Sequence, residues 1–430
     1  MALRITSKKP LNSNNKTTFQ LSTYCDSLLE AITNEDGPRL GSCFSLSDDH
    51  AQAIKLEIPR VVNKISFLTQ AGIEEPWLAL VMNHFRVVAA LPSSPSGPAH
   101  AIELAEDQLT LANALHAIFP SNGIQKWALP ALYAVDLDLV RLSAKADLEL
   151  ERRGEKANKS EETVSALRSA FSVCLSDRAL IQASRKWGTY YIACLMIRVF
   201  FRLKSLHLCS NTLRSIQSND LPPLDSFPLA HRVTFKYYVG VLAFYNEQYK
   251  KAAEELEFSL RHCRARGDKK ARWINNRRLI LNYYIPARML QGYLPSQTLF
   301  SKYPATADLF SPFVTAIQRG DVRMFDDALQ EKESILIDNG TFYAMERLRM
   351  VCLRVLFKKV WTLKGQGTRL PFIAFKDALR FVGEDSSLEE VECLLANMID
   401  KGFIKGYLSH ELSTIVLSKD KAFPPLTQTA

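Results

Sequence analysis

The sequence predicts an all-α protein with a small β-wing: an α-solenoid of TPR-like helical hairpins capped by a C-terminal winged helix. Apolar residues recur at helical spacing along most of the chain. Small residues stand where paired helices would touch. Near the C-terminus the pattern changes to helix, turn, helix and hairpin.

The winged-helix pattern covers residues 369–417. Phe372 and Phe375 share one helical face, and Gly383 ends that helix. Two strands, 403–408 and 412–417, are expected to pair through a short turn. Two serines precede glutamates at capping-box spacing and start a second helix, and the pairs are Ser386 with Glu389 and Ser387 with Glu390.

The rest of the chain is predicted as a series of amphipathic helices. These are placed at 19–32, 47–71, 75–90, 100–119, 128–152, 160–183, 187–207, 232–245, 249–262, 268–284, 286–300, 305–319, 321–338 and 341–363. The turn-rich stretch 91–98 is read as a linker. Four segments follow: a disordered N-terminus (1–18), N-terminal helical repeats (19–220), TPR-like repeats (221–340), and a winged-helix part with a C-terminal tail (341–430).

The clearest predicted hairpin joins 232–245 to 249–262. Small residues, Gly240, Ala252 and Ala253, occupy positions between its helices. Small residues at such positions let paired helices approach closely, as in tetratricopeptide-like repeats. A surface of stacked hairpins is typical of proteins that bind other macromolecules.

Composition limits the class of protein. The chain has 430 residues, of which 47% are hydrophobic, too many for a disordered protein. It contains no apolar run long enough to cross a membrane, and its start lacks the apolar core of a signal peptide. Eight cysteines are present without a C-x-x-C pair, so we expect buried, reduced thiols.

Enzyme signatures are missing from the sequence. The P-loop spacing, the G-x-S-x-G elbow and H-E-x-x-H do not occur. His207 with Cys209, and His262 with Cys263, lack a second pair at zinc-site spacing. We therefore predict a protein that is not an enzyme, with no catalytic residues, no metal and no cofactor.

Positive charge is concentrated in one segment. The net charge is +9, and residues 261–290 hold nine Lys/Arg against one acid, Asp268. Trp273, Tyr283 and Tyr284 lie in the same segment, and basic residues beside aromatic ones suit phosphate contacts and base stacking. The alternative is a solvated helix face with Trp273 in the core. A second basic group, between 342 and 370, comprises Arg347, Arg349, Arg354, Lys358, Lys359, Lys364 and Arg369.

The second helix of the winged helix has the wrong charge to read DNA bases. It carries Glu389, Glu390, Glu392 and Asp400, which would repel phosphates. We therefore interpret it as a protein-docking face, with Glu389, Glu390, Glu392, Tyr407 and His410 as partner-docking residues. The predicted nucleic-acid-binding residues are Arg264, Arg266, Lys269, Lys270, Arg272, Arg277, Arg278, Arg354, Lys358, Lys359, Lys376, Arg380, Lys401 and Lys405.

Several short motifs resemble one branch of the PCI-domain family. That branch contains the PCI-domain-containing subunit of the nuclear transcription-and-export complex 2 and the fungal signalosome-associated subunit twelve. The similarity extends over about 100–426. The motifs include Ser184-Arg-Lys-Trp-Gly188, His231-Arg-Val-Thr-Phe-Lys-Tyr-Tyr-Val-Gly240, Lys405-Gly-Tyr-Leu-Ser-His410 and Ser418-Lys-Asp-Lys-Ala-Phe-Pro-Pro-Leu426.

The resemblance implies a non-enzymatic scaffold with the PCI fold. Such a protein pairs with a second, larger PCI protein of the Sac3/GANP type, winged helix beside winged helix. A small acidic protein of the Sem1/DSS1 type braces the fold, and the joint basic surface binds RNA and DNA. We expect a nuclear protein that couples transcription to mRNA export, with shuttling to the cytoplasm left open. The alternative is a COP9-signalosome-associated or splicing-linked docking scaffold without a nucleic-acid role.

Overall fold

The computed structural model describes residues 21–60, 63–92, 100–121, 124–264 and 270–426. The disorder predicted for 1–18, and most of the linker predicted at 91–98, lie outside these residues. The chain divides into two units, Met1–Phe235 and Lys236–Ala430, with the boundary inside one helix. Within the described residues the structure is mostly helical, with one small C-terminal sheet, which confirms the predicted fold class.

The first unit is built from α-helices. They are α1 (Leu21–Thr33), α2 (Gly37–Phe44), α3 (Asp49–Glu57), α4 (Lys64–Gln70), α5 (Trp77–Ala90), α6 (Ala101–Ser121), α7 (Leu129–Arg152), α8 (Lys159–Leu175), α9 (Thr189–Arg202), α10 (Leu206–Gln217) and the start of α11 (Leu229–Tyr245). The sequence interpretation missed α2 and α10. It also extended α8 too far, because the chain turns after Leu175.

Helix α2 lies between the helices predicted at 19–32 and 47–71, where no element was predicted. Asp36 is its N-cap and accepts a hydrogen bond from the Arg39 N–H, while proline lies in the first turn. Proline is tolerated there because its missing N–H would have no partner in a helix. A Cβ added at Gly41 would lie 2.9 Å from the Pro130 backbone, so the glycine allows α2 to pack closely against α7.

The turn after α8 is held by one buried carboxylate. Asp177 accepts hydrogen bonds from the Ser184 hydroxyl at 2.9 Å and from the Arg185 N–H at 2.7 Å. The Arg185 guanidinium adds an ion pair at 2.8 Å. These bonds lower the pKa of Asp177 to about 2 despite its burial. They fix the loop that separates α8 from α9, so the helix predicted at 160–183 cannot continue.

The second unit continues the helices and ends in a sheet. Its helices after α11 are α12 (Tyr249–His262), α13 (Lys270–Leu290), α14 (Gln297–Lys302), α15 (Pro304–Arg319), α16 (Val322–Asp338) and α17 (Phe342–Leu363). The α11–α12 hairpin is confirmed, with Gly240 facing Leu256. The predicted pair at 268–284 and 286–300 is wrong. Helix α13 runs through Pro286, where Ile285, Ala287 and Met289 are buried, so packing outweighs the hydrogen bond lost at proline.

The winged helix follows α17 and has the order strand, helix, helix, strand, strand. Its further elements are β1 (Arg369–Pro371), α18 (Phe372–Phe381), α19 (Leu388–Asp400), β2 (Gly406–Ser409) and β3 (Thr414–Leu417). The sheet is antiparallel in the order β1-β3-β2. The hairpin and both helices are confirmed, whereas β1 was missed, because three residues give no pattern of their own.

Local signals at the ends of the winged-helix elements agree with the sequence. Ser387 and Glu390 form the capping box of α19, and Gly383 has a φ of +84° after α18. The apolar core is shared with the preceding helices, since Phe313, Phe325 and Phe357 belong to the same buried cluster as Phe375. The winged helix is therefore an integral part of the second unit.

Candidate nucleic-acid interface

The first predicted basic segment is only partly described. Arg266 and Lys269 lie outside the described residues, and so do the side chains of Lys270 and Arg272 at the start of α13. Arg264 and Arg278 are exposed. Arg277 is half-buried and differs from both, because its side chain is held in place by neighbouring groups.

Arg277 lies between two aromatic rings. Its guanidinium carbon is 5.3 Å from the Trp273 ring centre and 5.8 Å from that of Tyr303, and its Nη1 donates to the Cys263 carbonyl at 3.3 Å. The indole N–H of Trp273 donates to the same carbonyl at 2.7 Å. The Lys302 ammonium lies 5.7 Å from the same indole ring centre. Lys302 was not among the residues predicted from the sequence, because it lies outside the basic segment 261–290.

Two aromatic residues of this segment, Trp273 and Tyr283, already contact other side chains. The Trp273 ring already has two cations over it. Tyr283 contacts Phe244 and Tyr245, and burial raises the pKa of its hydroxyl well above the usual range. Tyr283 is therefore held by its neighbours, and the exposed part of the segment offers positive charge.

Much of the second basic group is used inside the protein. Arg347 pairs with Glu247 at 2.5 Å, and Arg349 pairs with Asp326 at 2.9 Å and Glu384 at 3.0 Å. These ion pairs neutralise charge that the sequence counted as available.

Arg354 is buried, and its guanidinium donates to two backbone carbonyls. The acceptors are Phe403 at 3.2 Å and Pro424 at 2.5 Å, which tie the turn after α19 and the C-terminal tail to α17. Its assignment to a nucleic-acid surface is corrected for this reason. Lys359 is exposed, but it donates to the Gln318 and Arg319 carbonyls at the end of α15.

A second basic area, the wing cluster, comprises lysines of the β2 region, the C-terminal tail and the part of α17 that follows Arg354. Its five members are exposed lysines: Lys358, Lys401, Lys405, Lys419 and Lys421. Two backbone hydrogen bonds of 2.8 Å hold the tail beside Lys405, one from the Ser418 N–H to the Lys405 carbonyl and one from the Lys405 N–H to the Ala422 carbonyl. The sequence interpretation missed Lys419 and Lys421, since their position depends on how the tail folds back.

Arg277 of the first basic segment and Lys359 of the second basic group lie at opposite ends of α15. Tyr303, beside Arg277, is the N-cap of this helix, while Lys359 binds the carbonyls of its last turn. The helix has 16 residues, and at 1.5 Å per residue its ends are about 24 Å apart. The predicted basic residues therefore do not form one compact patch.

The acidic residues of α19 lie near basic side chains of neighbouring elements. Glu392 accepts from the ring Nδ1 of His410 at 2.8 Å, and this hydrogen bond raises the pKa of that histidine. Hydrogen bonds lower the pKa of Glu389, with a further contribution from Lys376, so that lysine faces a carboxylate. Glu390 serves as the helix cap. Of the predicted docking residues, Tyr407 is the exposed aromatic one.

Exposed apolar residues lie beside this charged face. Phe381, at the end of α18, is 90% exposed, and Leu412 lies exposed in the turn of the wing. Arg380 is exposed next to Phe381. Large exposed side chains of this kind are typical of surfaces that contact other proteins.

In the part of the chain that the structure describes, no group of three or more potential metal ligands comes together, and no helix is both long and apolar enough to span a bilayer. Seven cysteines are buried and unpaired, as expected, whereas Cys393 is exposed.

Comparison with known proteins decides the family. A model of the PCI domain matches residues 320–419, which include α17 and the winged helix. The Protein CSN12 homolog of Schizosaccharomyces pombe is 32% identical, with 95% of this chain and 98% of the relative aligned. The chain belongs to the PCI-domain family. PCI domain-containing protein 2 of Danio rerio is 33% identical over the same shares, and the Protein CSN12 homolog of Mycosarcoma maydis is 34% identical.

These relatives extend the similarity expected from motifs alone. The sequence interpretation placed its start near residue 100, but the aligned 95% of this PCI-domain protein also includes much of the earlier helices. The first unit is therefore part of what these relatives share. The predicted resemblance to the PCI branch that contains the CSN12 homologs and PCI domain-containing protein 2 is confirmed.

Proposed function

We propose that this PCI-domain protein is a non-enzymatic scaffold subunit of a nuclear complex that couples transcription to mRNA export. It binds RNA or DNA through a basic surface that it completes with a second, larger PCI protein. A small acidic protein binds the same assembly. The protein acts by holding partners together, and its localisation is nuclear.

The wing cluster is the observation that carries this proposal. Lys405, Lys419 and Lys421 are held together by backbone hydrogen bonds and remain exposed. Lysines that point to solvent can neutralise phosphates, release counterions and so favour nucleic-acid binding. Their acidic neighbours, Asp400 and Asp420, are fewer than the five lysines.

The winged helix supports pairing with a second PCI protein. PCI proteins typically pair with other PCI proteins. Phe381 and Tyr407 offer apolar area, and the Glu392–His410 pair offers directional hydrogen bonds. Apolar anchors surrounded by polar groups are usual in stable protein interfaces.

The nucleic-acid part is tested by reversing charge in the wing. The double variant Lys405→Glu with Lys419→Glu is compared with Lys145→Glu plus Arg178→Glu, which reverses two exposed charges in the first unit. Fluorescence anisotropy with single-stranded RNA is measured over a range of salt concentrations. In the wing variant, the slope of log K against log salt concentration should become shallower by at least about 1.4, because each phosphate contact to a single strand contributes about 0.7. Equal losses of RNA affinity in both variants would show that net charge alone governs binding, and would contradict the proposal.

A signalosome-associated docking scaffold is the second candidate, and the acidic groups of α19 favour it. Affinity purification of the tagged protein from cells, followed by mass spectrometry, separates the two. Recovery of a second PCI protein together with RNA-export factors supports the first candidate. Recovery of COP9 signalosome subunits without RNA crosslinks supports the second.

A further inference from the structure

We propose that Arg277, Lys302 and Tyr303 form a binding site for one phosphate group of a nucleic-acid backbone. This inference rests on the proposed function and adds an anchor at the end of α15 opposite the wing cluster. It assigns a role to Lys302 and Tyr303, which the sequence did not single out.

The site holds two cations without a counter-charge. The Arg277 guanidinium and the Lys302 ammonium lie 5.3 and 5.7 Å from the centre of the same Trp273 ring. Among the described residues, neither has a carboxylate within ion-pair distance. By contrast, Lys332 in the same unit is paired with Asp308 and Glu331. Two cations beside the same indole ring without an acid favour an anionic ligand.

Two buried polar groups at the site lack a hydrogen-bond partner in the described structure. They are the Nε of Arg277 and the hydroxyl of Tyr303, whose side chain is only 4% exposed. Buried donors are nearly always satisfied in folded proteins, because leaving one unpaired is costly. A phosphate supplies several acceptor oxygens for unpaired donors of this kind.

The start of α15 adds a favourable field. Tyr303 is the N-cap of this helix and Pro304 opens it, without a side chain that caps its first N–H groups. The Thr306 hydroxyl in the first turn is also buried without a partner. Helix N-termini attract anions through their dipole and free N–H groups. The dipole of α15 therefore adds to the positive charge of Arg277 and Lys302.

A nucleic-acid phosphate fits better than an isolated anion or an acidic peptide. Exposed Arg264 and Arg278 extend positive charge beyond the site. Lys359, the chain neighbour of Lys358 in the wing cluster, binds the last carbonyls of α15, about 24 Å from its start. Phosphates repeat every ~3.4 Å along one stacked strand, so about seven nucleotides separate the two areas. A continuous polyanion can therefore occupy both at once.

The test uses the full chain with single-stranded oligouridine and three variants. Lys302→Ala removes one exposed cation, and Tyr303→Phe removes only the buried hydroxyl. Lys251→Ala is the matched control, since it removes an exposed lysine near the other end of α12. Affinity is measured by anisotropy with oligomers of about 4 and about 12 nucleotides, of which only the longer spans both areas.

We expect Lys302→Ala to weaken binding of the longer oligomer about fivefold at ~0.1 M salt, with a salt slope lower by about 0.7. Tyr303→Phe should weaken RNA binding while the melting temperature stays the same or rises, because the unpaired hydroxyl is gone. Lys251→Ala should bind as the unchanged protein does, and the shorter oligomer should bind weakly to every form.

Two failures are distinguishable. If the unchanged protein does not bind oligouridine in any length, the proposed function fails. If it binds, but Lys302→Ala and Tyr303→Phe match the Lys251→Ala control, the phosphate site is wrong while the proposed function stands. A lower melting temperature for Tyr303→Phe with unchanged RNA affinity would show that the hydroxyl has a structural role, and would also overturn the site.

Discussion

Replacement of Arg354 by alanine separates a structural role from a nucleic-acid role. The residue is 6% exposed, and its guanidinium joins three parts of the second unit: α17, the turn at Phe403 and the tail at Pro424. The sequence placed this arginine on a binding surface. The structure predicts that its loss releases the tail and leaves RNA contacts intact.

The size of the effect follows from the two hydrogen bonds. Bonds from a charged donor contribute about 1.5–3 kcal/mol each, so their sum is about 3–6 kcal/mol. Burial lowers the pKa of Arg354, which shows that the charged group is costly to bury, and its removal offsets part of the loss. We expect a net local destabilisation of about 3 kcal/mol.

Hydrogen exchange measures this change directly. The reporters are the N–H groups of Lys405 and Ser418, which bond across to the tail and the wing. Exchange of these amides should become about 100-fold faster in Arg354→Ala, because each 1.4 kcal/mol of local destabilisation raises the exchange rate about tenfold. Lys358→Ala, one turn further along α17 and exposed, is the control and should leave exchange unchanged. Unchanged exchange in Arg354→Ala combined with weaker RNA binding would refute the structural role.

Two further predictions concern packing and pH. Gly240→Ala places a Cβ 2.7 Å from the Cγ of buried Leu256 and should lower the free energy of unfolding by about 1–3 kcal/mol. Gly367→Ala is the control and should be tolerated, because the nearest atom to its Cβ is 3.8 Å away. Urea denaturation of both variants measures the difference. His84 is fully buried, and burial with the nearby His50 lowers its pKa from 6.5 to about 3. The unfolded chain therefore binds more protons between these values, so stability falls as pH drops from about 6.5 towards 3. His84→Leu should flatten that part of the profile by up to about 1.4 kcal/mol per pH unit, and an unchanged slope in urea titrations would contradict the assignment.

The sequence located elements whose signals are local. The capping box at Ser387 and Glu390, and the glycine turn at Gly383, depend on residues that are close in the chain. Helical spacing of apolar residues likewise repeats within a few turns. Where packing from distant residues decides, the prediction failed, as for α2 against α7 and for α13 through Pro286.

By itself, the sequence determined the fold class, the family resemblance and the sign of the charge. Only the tertiary structure decided which cations are available. Arg349 is neutralised by Asp326, and Arg354 is buried against the tail, while Lys419 comes to lie beside Lys405. The physical reason is that helix periodicity and capping depend on near neighbours, whereas an ion pair or a buried donor depends on residues brought together by folding.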